Sequence, residues 1–179
     1  MARTLKYAIL GLICKRPMSG YDILQEFSMN LSEFWSAKHS QIYPELKKLS
    51  EEELIDYSVE ITGTVLEKKV YRITEKGKQE FLTWLNEDVS MQPTAKDVFR
   101  LRMYFSGQLE KEDRLRLLES QLKQHKDRLE HLKHNQEKFS KIPDSDSHEF
   151  GDYLVLMGAI MRENTNIEWL KECIRLSKR

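Results

Sequence analysis

Apolar residues recur along this chain in two rhythms. Leu5, Ala8, Ile9, Leu12 and Ile13 fall at three- and four-residue steps, the spacing of one helix face. They predict an amphipathic helix ending near Arg16-Pro17, because proline restricts the residue before it. Ser19 stands three residues before Asp22, a capping-box spacing, and Tyr21, Leu24 and Phe27 supply the apolar face of a second helix. A polar and aromatic connection holding Phe34 and Trp35 follows. A third helix is expected from about Ser40, with Ile42, Leu46 and Leu49 inward; Pro44 requires that it start no earlier than about His39. The rhythm then shortens to two. Tyr57, Val59 and Ile61 alternate with polar residues, Val70, Tyr71 and Ile73 do so less cleanly, and Thr62-Gly63-Thr64 lies between them. This is a β-hairpin pattern. Thr74 then caps a fourth helix carrying Gly77, Phe81, Leu82 and Leu85.

The segment Asp88 to Thr94, with Pro93, marks a boundary between residues 1–88 and residues 94–179. Beyond it the pattern is helical throughout. Val98, Leu101 and Phe105 form a short stripe. Leu115, Leu118, Leu122, His125, Leu129, Leu132, Gln136 and Phe139 alternate steps of three and four without a break, which is a heptad seam. An Asp- and Ser-rich turn covers Ile142 to Ser147. A last helix from about Glu149 to Leu176 puts Met157, Ile160, Ile167, Leu170 and Ile174 on its apolar side. Two antiparallel helices leave apolar surface uncovered, so a second copy of the chain is expected to cover it. The expected dimerising residues are Leu115, Leu118, Leu122, Leu129, Leu132, Ile160, Ile167 and Ile174. The fold class is therefore mainly α: an N-terminal winged helix-turn-helix domain with a β-hairpin wing, then a C-terminal antiparallel helical dimerisation domain.

Charge sharpens this picture. The 179 residues hold 29 Lys+Arg and 29 Asp+Glu, a formal net charge of zero. Binding of nucleic acid by bulk positive charge is excluded. The balance is uneven along the chain. Residues 38–48 hold three lysines against one acid, residues 64–78 hold five bases against two acids, and residues 51–60 hold five acids and no base. With 7 Gly and 4 Pro, a loop-rich or all-β protein is disfavoured. Cys14 and Cys173 are expected to be buried thiols in a reducing compartment. The apolar stretch Tyr7 to Cys14 is too short to span a membrane, so a cytoplasmic location is expected.

Three helices followed by a hairpin is an arrangement that sets the third helix in a major groove with the hairpin beside it. Lys38, His39, Ser40, Gln41, Tyr43 and Lys47 lie at or near the start of that helix. Gln41 can pair bidentately with adenine, Ser40 and Tyr43 can donate to phosphates, and Lys38 and Lys47 supply charge. Gly63, Thr64, Lys68 and Lys69 are their counterparts on the hairpin. A polar helix face alone is usually only solvated. The lysine-bearing hairpin directly after it turns the reading toward double-stranded DNA.

The segment FWSAKHSQIYPELKKL (Phe34 to Leu49) resembles the PadR family of bacterial transcriptional regulators. So do LKYAILGLI and SGYDI before it, LEKKVYRITEKGKQEFLTWL after it, and FGDYLVL at Phe150 to Leu156. The resemblance covers nearly the whole chain, and the FWSAKHSQ lead-in points to the phenolic-acid-responsive subgroup. It implies a winged helix followed by a helical dimerisation domain. It also implies that Lys38, His39, Ser40, Gln41 and Tyr43 sit at the DNA face, with residues Gly63 to Lys69 on the backbone. The implied function is a repressor that binds a palindromic operator as a homodimer. Release by a phenolic acid such as p-coumarate or ferulate, and control of a phenolic acid decarboxylase gene, follow from the subgroup. The alternatives are a multidrug-sensing repressor of an efflux transporter in the same family and a helical protein-interaction adaptor. One departure is Asp152, where the resemblance implies a histidine.

A small aromatic acid needs a flat apolar slot and a donor for its carboxylate. Tyr7, Phe99, Met103, Tyr104, Tyr153 and Met157 are the candidate walls, with Arg100, Arg102 or Arg162 as the cation. Each aromatic, taken singly, reads as a core residue sooner than as a ligand contact, so this assignment rests on the resemblance. His125 reads as a register-setting polar residue in the seam, and His131 and His134 as a solvated pair. The run Glu51-Glu52-Glu53 is expected in the turn after the third helix. No nucleophile, phosphate-loop or metal-ligand motif is present, so no enzyme activity, cofactor or metal is expected.

Overall fold

The computed structural model describes residues 3–29, 31, 34–62, 66–91, 93 and 95–179. The chain forms two compact units, Met1–Met91 and Gln92–Arg179.

In the first unit, α1 (Thr4–Lys15) leads through a two-residue strand β1 (Met18–Ser19) into α2 (Gly20–Met29) and α3 (His39–Glu51). Strands β2 (Ile55–Thr62) and β3 (Leu66–Ile73) form the hairpin, and α4 (Glu75–Leu85) closes the unit. The sheet is antiparallel in the order β1-β3-β2. β1 is too short to leave an alternation in the sequence; its pairing to Tyr71 and Val70 is decided by tertiary contact.

The core gathers Ile9, Leu10 and Ile13 of α1, Ile23 and Phe27 of α2, and Ile42, Leu46 and Leu49 of α3, closed by Leu54, Ile55 and Tyr71. Burial of a side chain of this size stabilises by about 1.5–3 kcal/mol. One expected face is corrected. Tyr21 is 61% exposed; Ile23 and the expected Phe27 are buried in α2, and the expected Leu24 packs part-buried against the core. The reason is the capping geometry. The Ser19 N–H and hydroxyl donate to Asp22 Oδ2 at 2.9 and 2.6 Å, and the Asp22 N–H donates to Ser19 Oγ. This box fixes the start of the helix, and with it which residues turn inward.

The end of α3 is equally determined. The Glu53 N–H donates to Ser50 O and the Leu54 N–H to Leu49 O, with Glu53 at φ 59°, a Schellman closure. Glu52 and Glu53 thus fall just past the helix as expected, whereas Glu51 is its last residue. Thr74 Oγ1 donates to Glu53 O and accepts from the Gly77 N–H, tying α4 to this corner. At Gly77 a Cβ would lie 2.0 Å from the Leu54 carbonyl oxygen, so only glycine fits there.

In the second unit, α5 (Val98–Tyr104) and a short 3₁₀ turn (Ser106–Gln108) precede α6 (Lys111–Gln136) and α7 (His148–Ser177). Every position of the heptad seam, Leu115 through Phe139, is buried or half-buried. Leu132 packs with Leu156 and Ala159 of α7, and Leu118, Ile167 and Leu170 are buried along the same helix pair. Within this seam His125 Nδ1 meets the buried Glu163 carboxylate, and Arg128 Nε lies 3.2 Å from its other oxygen. A buried acid so partnered fixes helix register.

Two expectations change here. Met157 is exposed, because the inward stripe of α7 runs one residue earlier, through Leu156 and Ala159. Cys14 and Cys173 are free but only half-buried; burial, then the charge of Glu172, pushes the Cys173 thiol up. Among the described residues no helix is long and apolar enough to cross a membrane.

Candidate nucleic-acid interface

The third helix presents its polar face as the spacing predicts. Ile42, Leu46 and Leu49 are fully buried, so Lys38, His39, Ser40, Gln41, Tyr43, Lys47 and Lys48 are left exposed on the outer side. Lys47 is 79% exposed at its side chain and 3.8 Å from Glu51, a distance at which an exposed pair contributes little. Gln41 is partly engaged. Its Oε1 accepts the Lys38 N–H at 3.0 Å and caps the helix. In this cap the amide nitrogen is the half free to meet a base edge, so bidentate pairing with adenine requires the cap to open. The His39 and Tyr43 rings lie 4.3 Å apart. Tyr43 also rests on Gly20 of α2, where any Cβ would come within 2.8 Å of the ring.

An ion-pair network holds this helix from below. Glu45 is only 7% exposed, although it sits in the middle of α3. Arg3 Nε donates to it at 2.7 Å, and Arg3 Nη1 donates to Glu52 at 2.5 Å. Lys6, also buried, pairs with Glu80 of α4 and lies 3.9 Å from Glu52. Hydrogen bonding from Arg3 holds the Glu52 carboxyl below the usual glutamate value, and the same two acids raise the Arg3 guanidinium above its ordinary range. Glu45, the acid in the middle of the reading helix, is thus turned inward and paired, leaving the outer face without a carboxylate before Glu51. Arg3 carries no signal in the sequence that would mark this role.

On the hairpin, successive side chains point to opposite faces. Lys69 shares a face with Tyr57 and Tyr71; its ammonium stands 4.2 Å from the Tyr57 ring, and the two tyrosine rings are 5.8 Å apart. Burial, together with nearby Tyr43 and Tyr57, raises the Tyr71 hydroxyl above its ordinary value, against the pull of Lys69. Tyr57 was legible only as a strand residue. Lys68 points the other way and lies 3.3 Å from Asp22 of α2. Gly63 and Thr64 lie outside the described residues.

The effector candidates are distributed. Tyr7 stacks on Trp84 at 4.6 Å within the first unit. In the second unit Phe99 meets Trp169 edge-on, Tyr153 meets Phe139 edge-on, and Tyr104 is 82% exposed against Phe105. Trp169 and Tyr153 are 16 residues apart on α7, roughly 24 Å at helical rise. Phe99 and Tyr153 therefore do not share one slot within a chain. Met103 is half-buried on α5. Tyr153 lines a shallow cleft with Phe139, Ile142, Lys133 and Lys141. Arg100 is drawn to Asp97 and to the Trp169 ring. Asp152 pairs with Lys138 at 2.7 Å.

The expected dimer residues are also redistributed. Leu118, Leu132 and Ile167 are buried inside the chain's own α6–α7 pairing, and Leu115, Leu122, Leu129, Ile160 and Ile174 are half-buried beside them. The apolar surface that stays open is a second stripe on α7, Leu154, Met157, Met161 and Leu176, together with Val98, Leu101, Tyr104 and Phe105.

Comparison with known proteins agrees with this geometry. A family model described as "Transcriptional regulator PadR-like family" matches residues 9–83, and one described as "Virulence activator alpha C-term" matches residues 95–178. The chain is 45% identical over 177 residues to the negative transcriptional regulator PadR of Bacillus subtilis (strain 168), covering 97% of each. It matches the crystal structure of B. subtilis PadR in complex with operator DNA with a TM-score of 0.93 at 44% identity, covering 98% of this chain and 99% of that one. It matches B. subtilis PadR in complex with p-coumaric acid with a TM-score of 0.88 at 41% identity, covering 99% and 100%.

Proposed function

Because the chain belongs to the PadR-like family of transcriptional regulators, we propose that it binds a palindromic operator as a homodimer and is released by a phenolic acid of the p-coumarate or ferulate type. It is a PadR-type transcriptional repressor rather than an enzyme. The observation that carries the DNA reading is the exposed polar face of α3, made free of acid by the inward pairing of Glu45 with Arg3.

In this reading α3 enters the major groove at its N-terminal half. Gln41 donates its amide nitrogen to a base acceptor, or opens its cap to pair with adenine in both directions. His39, Ser40 and Tyr43 donate to the backbone, while Lys38 and Lys47 neutralise phosphates. On the wing, Lys69 supported by Tyr57 meets the backbone of the flanking groove, with Gly63 and Thr64 as further candidate contacts. The second apolar stripe of α7 is the surface on which two chains meet, so that two reading helices face two half-sites. The regulated gene is a phenolic acid decarboxylase gene. Phe99 with Trp169 and Tyr153 with Phe139 are two separate candidate surfaces for the effector in the second unit. The identity over nearly the full chain to a relative solved with p-coumaric acid supports that ligand class.

The test is an anisotropy titration of the full-length protein on the duplex upstream of its own gene and of a neighbouring decarboxylase gene. Nanomolar binding that is lost on adding p-coumarate or ferulate is expected. Gln41→Ala should weaken operator binding by about tenfold or more. Lys47→Ala should lower the slope of log K against log salt by about 0.9. Absence of a complex at low salt overturns the DNA reading. A complex that survives saturating phenolic acid overturns the effector assignment and moves the protein toward drug-sensing members of the family.

A further inference from the structure

The two wing lysines do different work. Adjacent residues of a strand face opposite ways, and here Lys69 shares the face of Tyr57 and Tyr71 while Lys68 turns to α2. There it meets Asp22 Oδ2 at 3.3 Å. That oxygen is no free surface acid. It accepts the Ser19 N–H at 2.9 Å and the Ser19 hydroxyl at 2.6 Å, so the carboxylate is fixed in direction. Ser19 in turn belongs to β1 and pairs with Val70 of β3, two residues beyond Lys68. Asp22, Ser19 and Lys68 therefore join the start of α2 to the outer half of the wing. On the strand opposite, Val59 is exposed, and Lys68 itself faces Glu60 across the ladder.

Resting on the reading of this unit as a DNA reader, we propose that Asp22 is a positioning residue for operator recognition. It holds the wing against α2 through Lys68, so that Lys69 reaches the backbone while α3 sits in the groove. Lys68 acts through this pair and does not contact phosphate. Hydrogen bonds from Ser19 and the charge of Lys68 outweigh partial burial and keep the Asp22 carboxyl below its ordinary value, so it is ionised at neutral pH. A two-residue strand and a hairpin extending past the core would otherwise let the wing swing. Non-specific binding depends on phosphate charge and tolerates such motion; operator binding needs helix and wing in register at once.

The experiment measures operator and scrambled-duplex affinities of the full-length protein over a salt series, for wild type, Asp22→Asn, Lys68→Gln, the double variant and Lys68→Arg. Asn at position 22 still accepts from Ser19, so the helix cap survives; melting curves for each variant check this. Asp22→Asn and Lys68→Gln should each lose operator affinity by about tenfold, within the range for coupled neighbours. The double variant should lose no more than either single variant. Binding to the scrambled duplex and the salt slope should stay unchanged, and Lys68→Arg should keep wild-type affinity. A rise in affinity for Asp22→Asn, or a salt slope lowered by about 0.9 for Lys68→Gln, would make Lys68 a phosphate contact and overturn the proposal. Unchanged operator affinity in Asp22→Asn would overturn it as well. Failure of the wild type to bind any duplex would instead bring down the DNA reading itself, and this inference with it.

Discussion

At the scale of single residues, burial decides what each charge does. Glu45, between Pro44 and Leu46, looks in the sequence like one more solvated acid. In the fold it is covered, and Arg3 is its partner. Removing a partner from a covered acid costs more than an exposed pair ever contributes. Arg3→Met is therefore expected to destabilise the first unit by about 2 kcal/mol, discounted for the partial exposure of Arg3, with loss of operator affinity as α3 shifts. The acid limb offers a second check. Glu52 is held below its unfolded value, chiefly by Arg3. The unfolded chain thus takes up a proton first as pH falls, and stability is lost below the ordinary glutamate range. Urea melts of the wild type between pH 3 and 6 should show that loss, and Arg3→Met should show a flatter limb. Gly77 is the other decisive residue. With 2.0 Å between a Cβ and the Leu54 oxygen, Gly77→Ala forces the α3–α4 corner apart. About 2–3 kcal/mol is expected, a drop of about 10 °C or more in the melting of the first unit by calorimetry.

At the scale of elements, α3 is held from three sides, which is what a reading element requires. Its inner face packs on α1 and α2, its C-terminus is closed through Glu53 and tied by Thr74, and its underside is pinned by Arg3. The wing is held at its root by β1 and at Lys68 by Asp22. Gly20 is small because Tyr43 lies on it; Gly20→Ala would push that ring off α2. An operator-affinity loss with little change in melting temperature is the expected result, since Tyr43 is at the surface of α3. Element boundaries were legible where a cap has a spacing, as at Ser19 and Asp22 or at Thr74. β1 was not, because two residues carry no period.

At the scale of the molecule, each compact unit has its own means of burial. The first unit buries one core around three helices and a sheet edge. In the second, α6 is satisfied by α7, and α7 keeps a further apolar stripe. Exposed contiguous apolar surface of this kind marks an association site. Met161→Glu places a charge on that stripe without touching the α6–α7 seam. Sedimentation should show a shift from dimer to monomer, with helical content by circular dichroism retained and operator binding weakened, because two half-sites are no longer read together. An unchanged sedimentation coefficient would place the dimer surface elsewhere.

Most of the architecture was determined by local pattern. Steps of three and four between Leu5 and Ile13, alternation from Tyr57 to Ile61, and the unbroken seam from Leu115 to Phe139 encode faces, because helix and strand periods are properties of adjacent residues. The exposed residues of α3 followed from the buried ones. What the pattern could not carry was partnership. Arg3 and Glu45 are 42 residues apart and Arg3 and Glu52 are 49 apart; Asp22 and Lys68 come from different elements. The seam announced that it would be covered, but not that α7 of the same chain would cover Leu118 and Leu132. Which apolar stripe remained open for a second copy was therefore undecided. Those outcomes depend on how the elements pack, and only the tertiary structure brings such distant side chains within the few ångströms at which charge and contact act.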